Sequence, residues 1–111
     1  MGHQGTCHCG DVRVTIHDDP VEASECNCSI CRRTGALWTY ASPSRVEVIG
    51  QGVGYLQGDR TLTLFHCGTC GVITHWSPVD PGYNRMGINL RLFDPGLWQA
   101  LPRRAVDGAS W

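Results

Sequence analysis

The stretch Arg60-Thr61-Leu62-Thr63-Leu64-Phe65-His66-Cys67-Gly68-Thr69-Cys70-Gly71-Val72-Ile73-Thr74-His75-Trp76 decides the reading of the fold. Residues 60–66 alternate polar and apolar with a period of two, and residues 72–76 are a second β-rich run. Between the two runs, Gly68 and Gly71 fit a tight turn whose backbone lets the sulfurs of Cys67 and Cys70 converge, as in the ligand pairs of zinc ribbons. The pattern predicts a hairpin with its turn at the cysteines.

Working outward, residues 12–17 repeat the strict alternation, so Val12, Val14 and Ile16 are expected on the buried face of a strand that Asp18-Asp19-Pro20 ends. Residues 44–49 are a further strand candidate, and the density of Gly50, Gly52 and Gly54 after it predicts a turn or loop rather than regular pairing. Residues 85–92 place Met86, Ile88, Leu90 and Leu92 on one packed face and Gly87, Asn89 and Arg91 on a polar one. Asp94 before Pro95 fits an N-cap with proline at the first helical position, which predicts a short helix there; residues 29–34, stopped by Gly35, predict one helical turn. No internal repeat is visible. The expected architecture is mainly β, antiparallel sheets with short helical pieces, in one domain spanning residues 1–111.

Hydrophobic residues make up 41% of the chain and charged ones 17%, too apolar for a disordered segment, so the chain is expected to fold. A formal net charge of -1, with no block of like charge, offers no electrostatic footprint for nucleic acid or for an anionic membrane surface, and neither partner is expected. Residues 1–5 lack the basic and apolar regions of a secretory signal, and no apolar run approaches the ~20 residues that span a bilayer. A cytoplasmic protein is expected. In a reducing compartment seven cysteines point to metal or catalysis before disulfides, and an odd number leaves any disulfide scheme with one thiol over.

The cysteines fall into three clusters: Cys7 and Cys9; Cys26, Cys28 and Cys31; Cys67 and Cys70. In an extended segment residues i and i+2 point to the same side, so Cys7 and Cys9 can face one ion. A closed structural zinc site takes four ligands, commonly as two pairs distant in sequence, which groups Cys7, Cys9, Cys67 and Cys70. Cys26, Cys28 and Cys31 then hold a second zinc with one coordination position open, and four plus three uses every cysteine. Pairing of the first and middle clusters is the alternative partition, and small apolar cysteines or a C-x-x-C redox pair are the metal-free alternatives.

The ordered set Gly5-Thr6-Cys7-His8-Cys9-Gly10-Asp11-Val12, Cys26-Asn27-Cys28-Ser29-Ile30-Cys31-Arg32-Arg33-Thr34-Gly35 and Phe65-His66-Cys67-Gly68-Thr69-Cys70-Gly71 resembles the glutathione-dependent formaldehyde-activating enzyme family, also described as containing the centromere protein V domain. The likeness continues through residues 87–94 to 107–111, where it is similar to a bacterial branch of that family. The resemblance implies an Mss4-like fold of antiparallel β-sheets, a β-tent, stapled by zinc. It implies a structural zinc on Cys7, Cys9, Cys67 and Cys70 and a second zinc on Cys26, Cys28 and Cys31, two ions per chain as cofactors. It further implies a carbon-sulfur lyase whose partners are glutathione, or a similar small thiol, and an aldehyde; in the type enzyme formaldehyde gives S-hydroxymethylglutathione.

Three thiolates leave a bound zinc with a net charge of about -1, so cationic neighbours would help it, and Arg32 and Arg33 follow Cys31 directly. Arg32 and Asn89 are the candidate substrate-binding residues, with Arg91 beside Asn89 on the polar face. His8 and His66 alternate away from the ligands next to them, while His75 or His17 would be the histidine able to close the second site. Trp38, Tyr40, Trp76 and Tyr83 are pocket or core. The rival functional reading is a non-catalytic zinc-stabilised protein-binding module, and a thiol redox or metal-buffering protein is a third.

Overall fold

The computed structural model describes residues 2–50, 52–56 and 60–110. Among the described residues the chain runs β1 (His3–Thr6), β2 (Arg13–Ile16), β3 (Ala23–Cys26), α1 (Cys31–Thr34), β4 (Trp38–Ala41), β5 (Val46–Ile49), β6 (Gly52–Leu56), β7 (Leu62–Cys67), β8 (Ile73–Pro78), β9 (Met86–Asn89), α2 (Pro95–Trp98) and β10 (Arg103–Val106), with single 3-10 turns at Pro43–Arg45, Leu90–Leu92 and Gly108–Ser110. It is mainly β, as expected. No helix among these residues is long and apolar enough to cross a membrane.

The strands form two sheets, a three-stranded one in the order β1-β2-β5 and a seven-stranded one in the order β10-β3-β4-β9-β8-β7-β6. All pairs are antiparallel except β10 on β3, which is parallel and sets Arg104 beside Ser24 and Val106 beside Cys26. The hairpin read from residues 60–76 is β7 on β8, with a register shift between Phe65 and His66.

Val14 and Ile16 of the small sheet, with Val12 just before it, are buried in one cluster with Leu37, Met86, Ile88, Leu90, Leu92 and Phe93, so the alternation through β2 packs the two sheets together. A second cluster of Ala36, Trp38 and Leu64, with Ile30, Cys31, Tyr40, Ile73 and Trp76 packed against it, lies beyond. Leu37 belongs to the first and Trp38 to the second, as the period of two requires of neighbours in sequence.

Two details depart from the sequence reading. Gly52 and Gly54 do not mark a loop but stand in β6, paired along its length with β7. A Cβ on Gly54 would lie 2.8 Å from Thr63 Cγ2 and 3.3 Å from Phe65 Cε1, so glycine makes room for the side chains of the facing strand. Nor do residues 85–92 form one strand with a solvated polar face. The strand stops at Asn89, every residue of β9 is buried, and the second cluster covers the polar face.

The short helices fall where the caps predict. Asp94 Oδ1 accepts from the backbone N–H of Gly96 at the start of α2. Gly35, at φ 70°, ends α1 in the left-handed conformation and returns its N–H to the Cys31 carbonyl.

Candidate metal centres

Two groups of sulfur atoms converge. In each, every Sγ lies within 4.8 Å of the others: Cys7, Cys9, Cys67 and Cys70 form one group, and Cys26, Cys28 and Cys31 the other. All seven thiols are free, so the partition is four plus three with no disulfide.

The four-sulfur group is built from two hairpin tips that use the same hydrogen bonds. Cys7 N–H donates to Val12 O at 3.0 Å and Cys67 N–H to Val72 O at 2.9 Å, while Gly10 and Gly71 return their N–H groups to Cys7 O and Cys67 O. Residues 7–10 are therefore a turn and not the extended segment expected. Backbone amides also point at sulfur: Val12 N–H at Cys7 Sγ, 3.3 Å, and Thr69 and Cys70 N–H at Cys67 Sγ, 3.4 and 3.5 Å. Such donors favour thiolate over thiol. The backbone N–H groups of Val72 and Cys9 pull Cys70 down to about 6. At Cys9 the Asp11 amide favours ionisation, but desolvation and the neighbouring sulfurs outweigh it and push the thiol up to about 12. Sulfurs this close cannot all ionise without a cation among them.

The three-sulfur group lies where β3 turns into α1. Cys26 ends the strand, Cys31 opens the helix, and Cys31 N–H donates to Cys28 Sγ at 3.4 Å. Burial opposes ionisation of Cys28, yet the Cys31 amide and the flanking thiols hold it below the usual thiol range. Burial first, and Cys28 second, push Cys31 up to about 12. All three residues are half-buried and reachable. Among the described residues no fourth His, Cys, Asp or Glu ligand atom joins them. His17 sits 3.6 Å from Glu47 and His75 stacks on Phe65 with its Nδ1 2.9 Å from Thr74 Oγ1, so neither histidine closes the group. His8 is exposed and His66 Nδ1 lies 3.0 Å from Cys67 O; neither belongs to a sulfur group.

One wall of the three-sulfur group was not visible in the sequence. Asn27, between two of the cysteines, donates from Nδ2 to Asp107 Oδ1 at 2.9 Å and accepts the Ala109 N–H on Oδ1 at 2.9 Å. These bonds press Gly108 against the sulfurs: a Cβ there would stand 2.6 Å from Cys26 Sγ and 3.1 Å from Cys28 Cβ. The buried Gly108 was the available signal, though nothing local announced its neighbour 82 residues away.

The other candidates scatter. Arg32 is exposed on α1 beside Cys31. Arg33 donates from Nη1 to Ser29 O at 2.7 Å and so braces the cysteine loop. Asn89 is 5% exposed, with Nδ2 donating to Ile73 O at 2.8 Å and Oδ1 accepting from Leu37 N–H at 3.3 Å and Arg91 N–H at 3.1 Å. Its amide joins β8, β9 and the entry to β4. Arg91 Nε donates to Gly35 O at 2.8 Å, beyond the end of α1, and its guanidinium lies over Trp98.

A family model described as glutathione-dependent formaldehyde-activating enzyme matches residues 2–104, which include all seven cysteines. The crystal structure of a Rhodobacter sphaeroides protein is similar at a TM-score of 0.74, with 31% identity over 91% of this chain and 99% of that one. With the sulfur groups standing where the motifs put them and the match covering nearly the whole chain, this protein belongs to the glutathione-dependent formaldehyde-activating enzyme family.

Proposed function

We propose that the chain is a single zinc-binding domain that works as a carbon-sulfur lyase on a thiol-aldehyde adduct, with glutathione and formaldehyde giving S-hydroxymethylglutathione as the leading case. The observation that carries this reading is the unequal pair of sulfur groups, four in one and three in the other. Zinc suits both. A zinc–sulfur bond of about 2.3 Å in a tetrahedron separates sulfurs by about 3.8 Å, and Cys7 to Cys9 is 3.7 Å and Cys9 to Cys67 is 3.6 Å. Cys7, Cys9, Cys67 and Cys70 would hold the structural ion and Cys26, Cys28 and Cys31 the second.

Cys26, Cys28 and Cys31 would hold a zinc ion, and the chemistry it would supply when bound is acidification of an incoming thiol. The chain's own residues then bind and orient. Gly108 and the Asn27 contacts wall one side, and Cys31 and Ile30 pack against the cluster of Trp38 on another. Arg32, exposed one residue after Cys31, is the candidate for offsetting the negative charge of the sulfurs or meeting a substrate carboxylate. Asn89 acts on substrate only through the backbone it fixes. In the net reaction a sulfur–carbon bond forms, the carbonyl π bond breaks, and the proton lost by the thiol is balanced by one gained at the oxygen; nothing is oxidised or reduced. A cytoplasmic site, rich in small thiols, suits this chemistry.

The test is exchange spectroscopy of carbon-13 formaldehyde with glutathione on protein of measured zinc content. Interconversion above the spontaneous rate, lost in Cys28→Ser, is expected. Two bound ions that glutathione leaves unperturbed, with no acceleration, would instead favour the binding module, for which Val53, Tyr55 and Leu56 on the edge strand β6 provide exposed apolar surface.

A further inference from the structure

A cavity of about 210 Å³ opens on the large sheet between Ser24, Tyr40, Arg85 and Arg104, with Glu22 at its side. It is smaller than the ~300–1,000 Å³ of sites that enclose a whole drug-sized ligand, so it suits one end of a molecule. The Arg85 guanidinium lies 4.0 Å from the centre of the Tyr40 ring and has no carboxylate partner among the described residues. Arg104 is 3.8 Å from Glu22, which leaves Arg85 as the uncompensated charge.

At the same cavity Ser24 is 1% exposed, and its Oγ has no hydrogen-bond partner among the described residues. A buried hydroxyl without a partner is costly and uncommon in a native fold. A cation without a carboxylate and a buried hydroxyl without a partner at hydrogen-bond distance, lining one small cavity, are what an anion requires.

The cavity also adjoins the three-sulfur group. Ser24 and Cys26 are two positions apart on β3, so they share a face of the sheet and stand roughly 7 Å apart along the strand. Tyr40 stands among these groups: burial raises its pKa most, the nearby Ser24 hydroxyl and Arg85 lower it, and Cys26 and Cys31 add to the rise.

We infer that the Ser24–Arg85 cavity is an anion subsite that takes the carboxylate of the thiol substrate nearest its sulfur, which in glutathione is the glycine carboxylate. The assignment rests on the reading of the three-cysteine group as the thiol site. Arg85 supplies the charge and Ser24 a hydroxyl donor, while the rigid sheet fixes their distance from Cys26. Thiols without a carboxylate at that reach lose the contact.

The experiment is calorimetric titration of the zinc-loaded protein with glutathione and with its glycine ethyl ester. Esterification is expected to weaken binding to the unaltered protein about tenfold, the scale of one charge-assisted hydrogen bond, and to make little difference in Arg85→Gln. Ser24→Ala is expected to reduce the discrimination with little change in the unfolding midpoint, since no hydrogen bond of ordinary length is lost. Arg85→Gln that still distinguishes acid from ester as well as the unaltered protein does, or glutathione that does not bind at all, overturns the subsite. Cys28→Ser separates the two readings. Weaker binding with the ester discrimination intact supports both, whereas unchanged affinity with intact discrimination removes the thiol site and leaves the subsite standing.

Discussion

Cys9 Sγ and Cys67 Sγ lie 3.6 Å apart across 58 positions of sequence. The contact brings a hairpin tip of the small sheet to a hairpin tip of the large one, so the four-sulfur group ties two layers that otherwise hold by packing. A structural zinc in such a place would contribute roughly 10 kcal/mol or more to folding, comparable to a small domain's whole net stability. Cys70→Ser is therefore expected to unfold the protein and strip it of metal. Cys28→Ser is expected to keep the native circular dichroism spectrum and one zinc per chain. Equal unfolding in the two variants would refute this division.

Gly108 gives the second prediction. Adding a Cβ 2.6 Å from Cys26 Sγ and 3.1 Å from Cys28 Cβ forces sulfur or backbone to move. Overpacking of this kind costs on the order of 1–3 kcal/mol, which is about ten- to a hundredfold in affinity. Gly108→Ala is expected to release one of two zinc ions to a competing chelator at that lower threshold. The other ion should be unaffected. Wild-type retention of both ions would show that the segment gives way freely.

Asn89 gives the third. Removing its amide strands Leu37 N–H and Ile73 O inside the protein. Unsatisfied buried groups cost about 1–3 kcal/mol each, so Asn89→Ala should lower the denaturation free energy by a few kcal/mol. Zinc-loaded enzyme that remains folded should keep its KM for glutathione. A raised KM at unchanged stability would restore the direct contact with substrate that the sequence suggested.

His75 sets a pH dependence. Burial lowers it from 6.5 to about 4, so the folded form keeps the ring neutral while the unfolded chain binds a proton. Its contribution is fully present above about 6.5 and is lost as pH falls towards about 4, up to about 3 kcal/mol in all. In His75→Phe the Thr74 hydroxyl still donates to Phe65 O, and this loss should be absent. The readout is the difference between the two stability curves, because loss of metal in acid affects both alike. Parallel curves from pH 7 to 4 would contradict the assignment.

The fold was legible where a period or a cap acts locally. Val12, Val14 and Ile16, the hairpin at Cys67, the Asp94 cap and the Gly35 stop all appear where expected. Gly52 and Gly54 misled because glycine's usual meaning was overridden by Phe65 on the facing strand. The polar alternation of Gly87 and Asn89 misled because a sheet buried on both faces still needs an amide to satisfy its backbone. The three cysteine clusters were readable from spacing, while the four-plus-three partition leaned on the family resemblance. Gly108 against Cys26 and Arg85 beside Ser24 were not, since only tertiary structure brings them together.

The parallel pairing of β10 with β3 imposes a timetable on the nascent chain. The four sulfurs of the first group are all available once residue 70 has been made, but the strand carrying Cys26 stays without its outer neighbour, and Gly108 is absent, until some 35–40 further residues follow. Trimming the last few residues would therefore strip the wall from the three-sulfur group while leaving every cysteine of both groups in the chain.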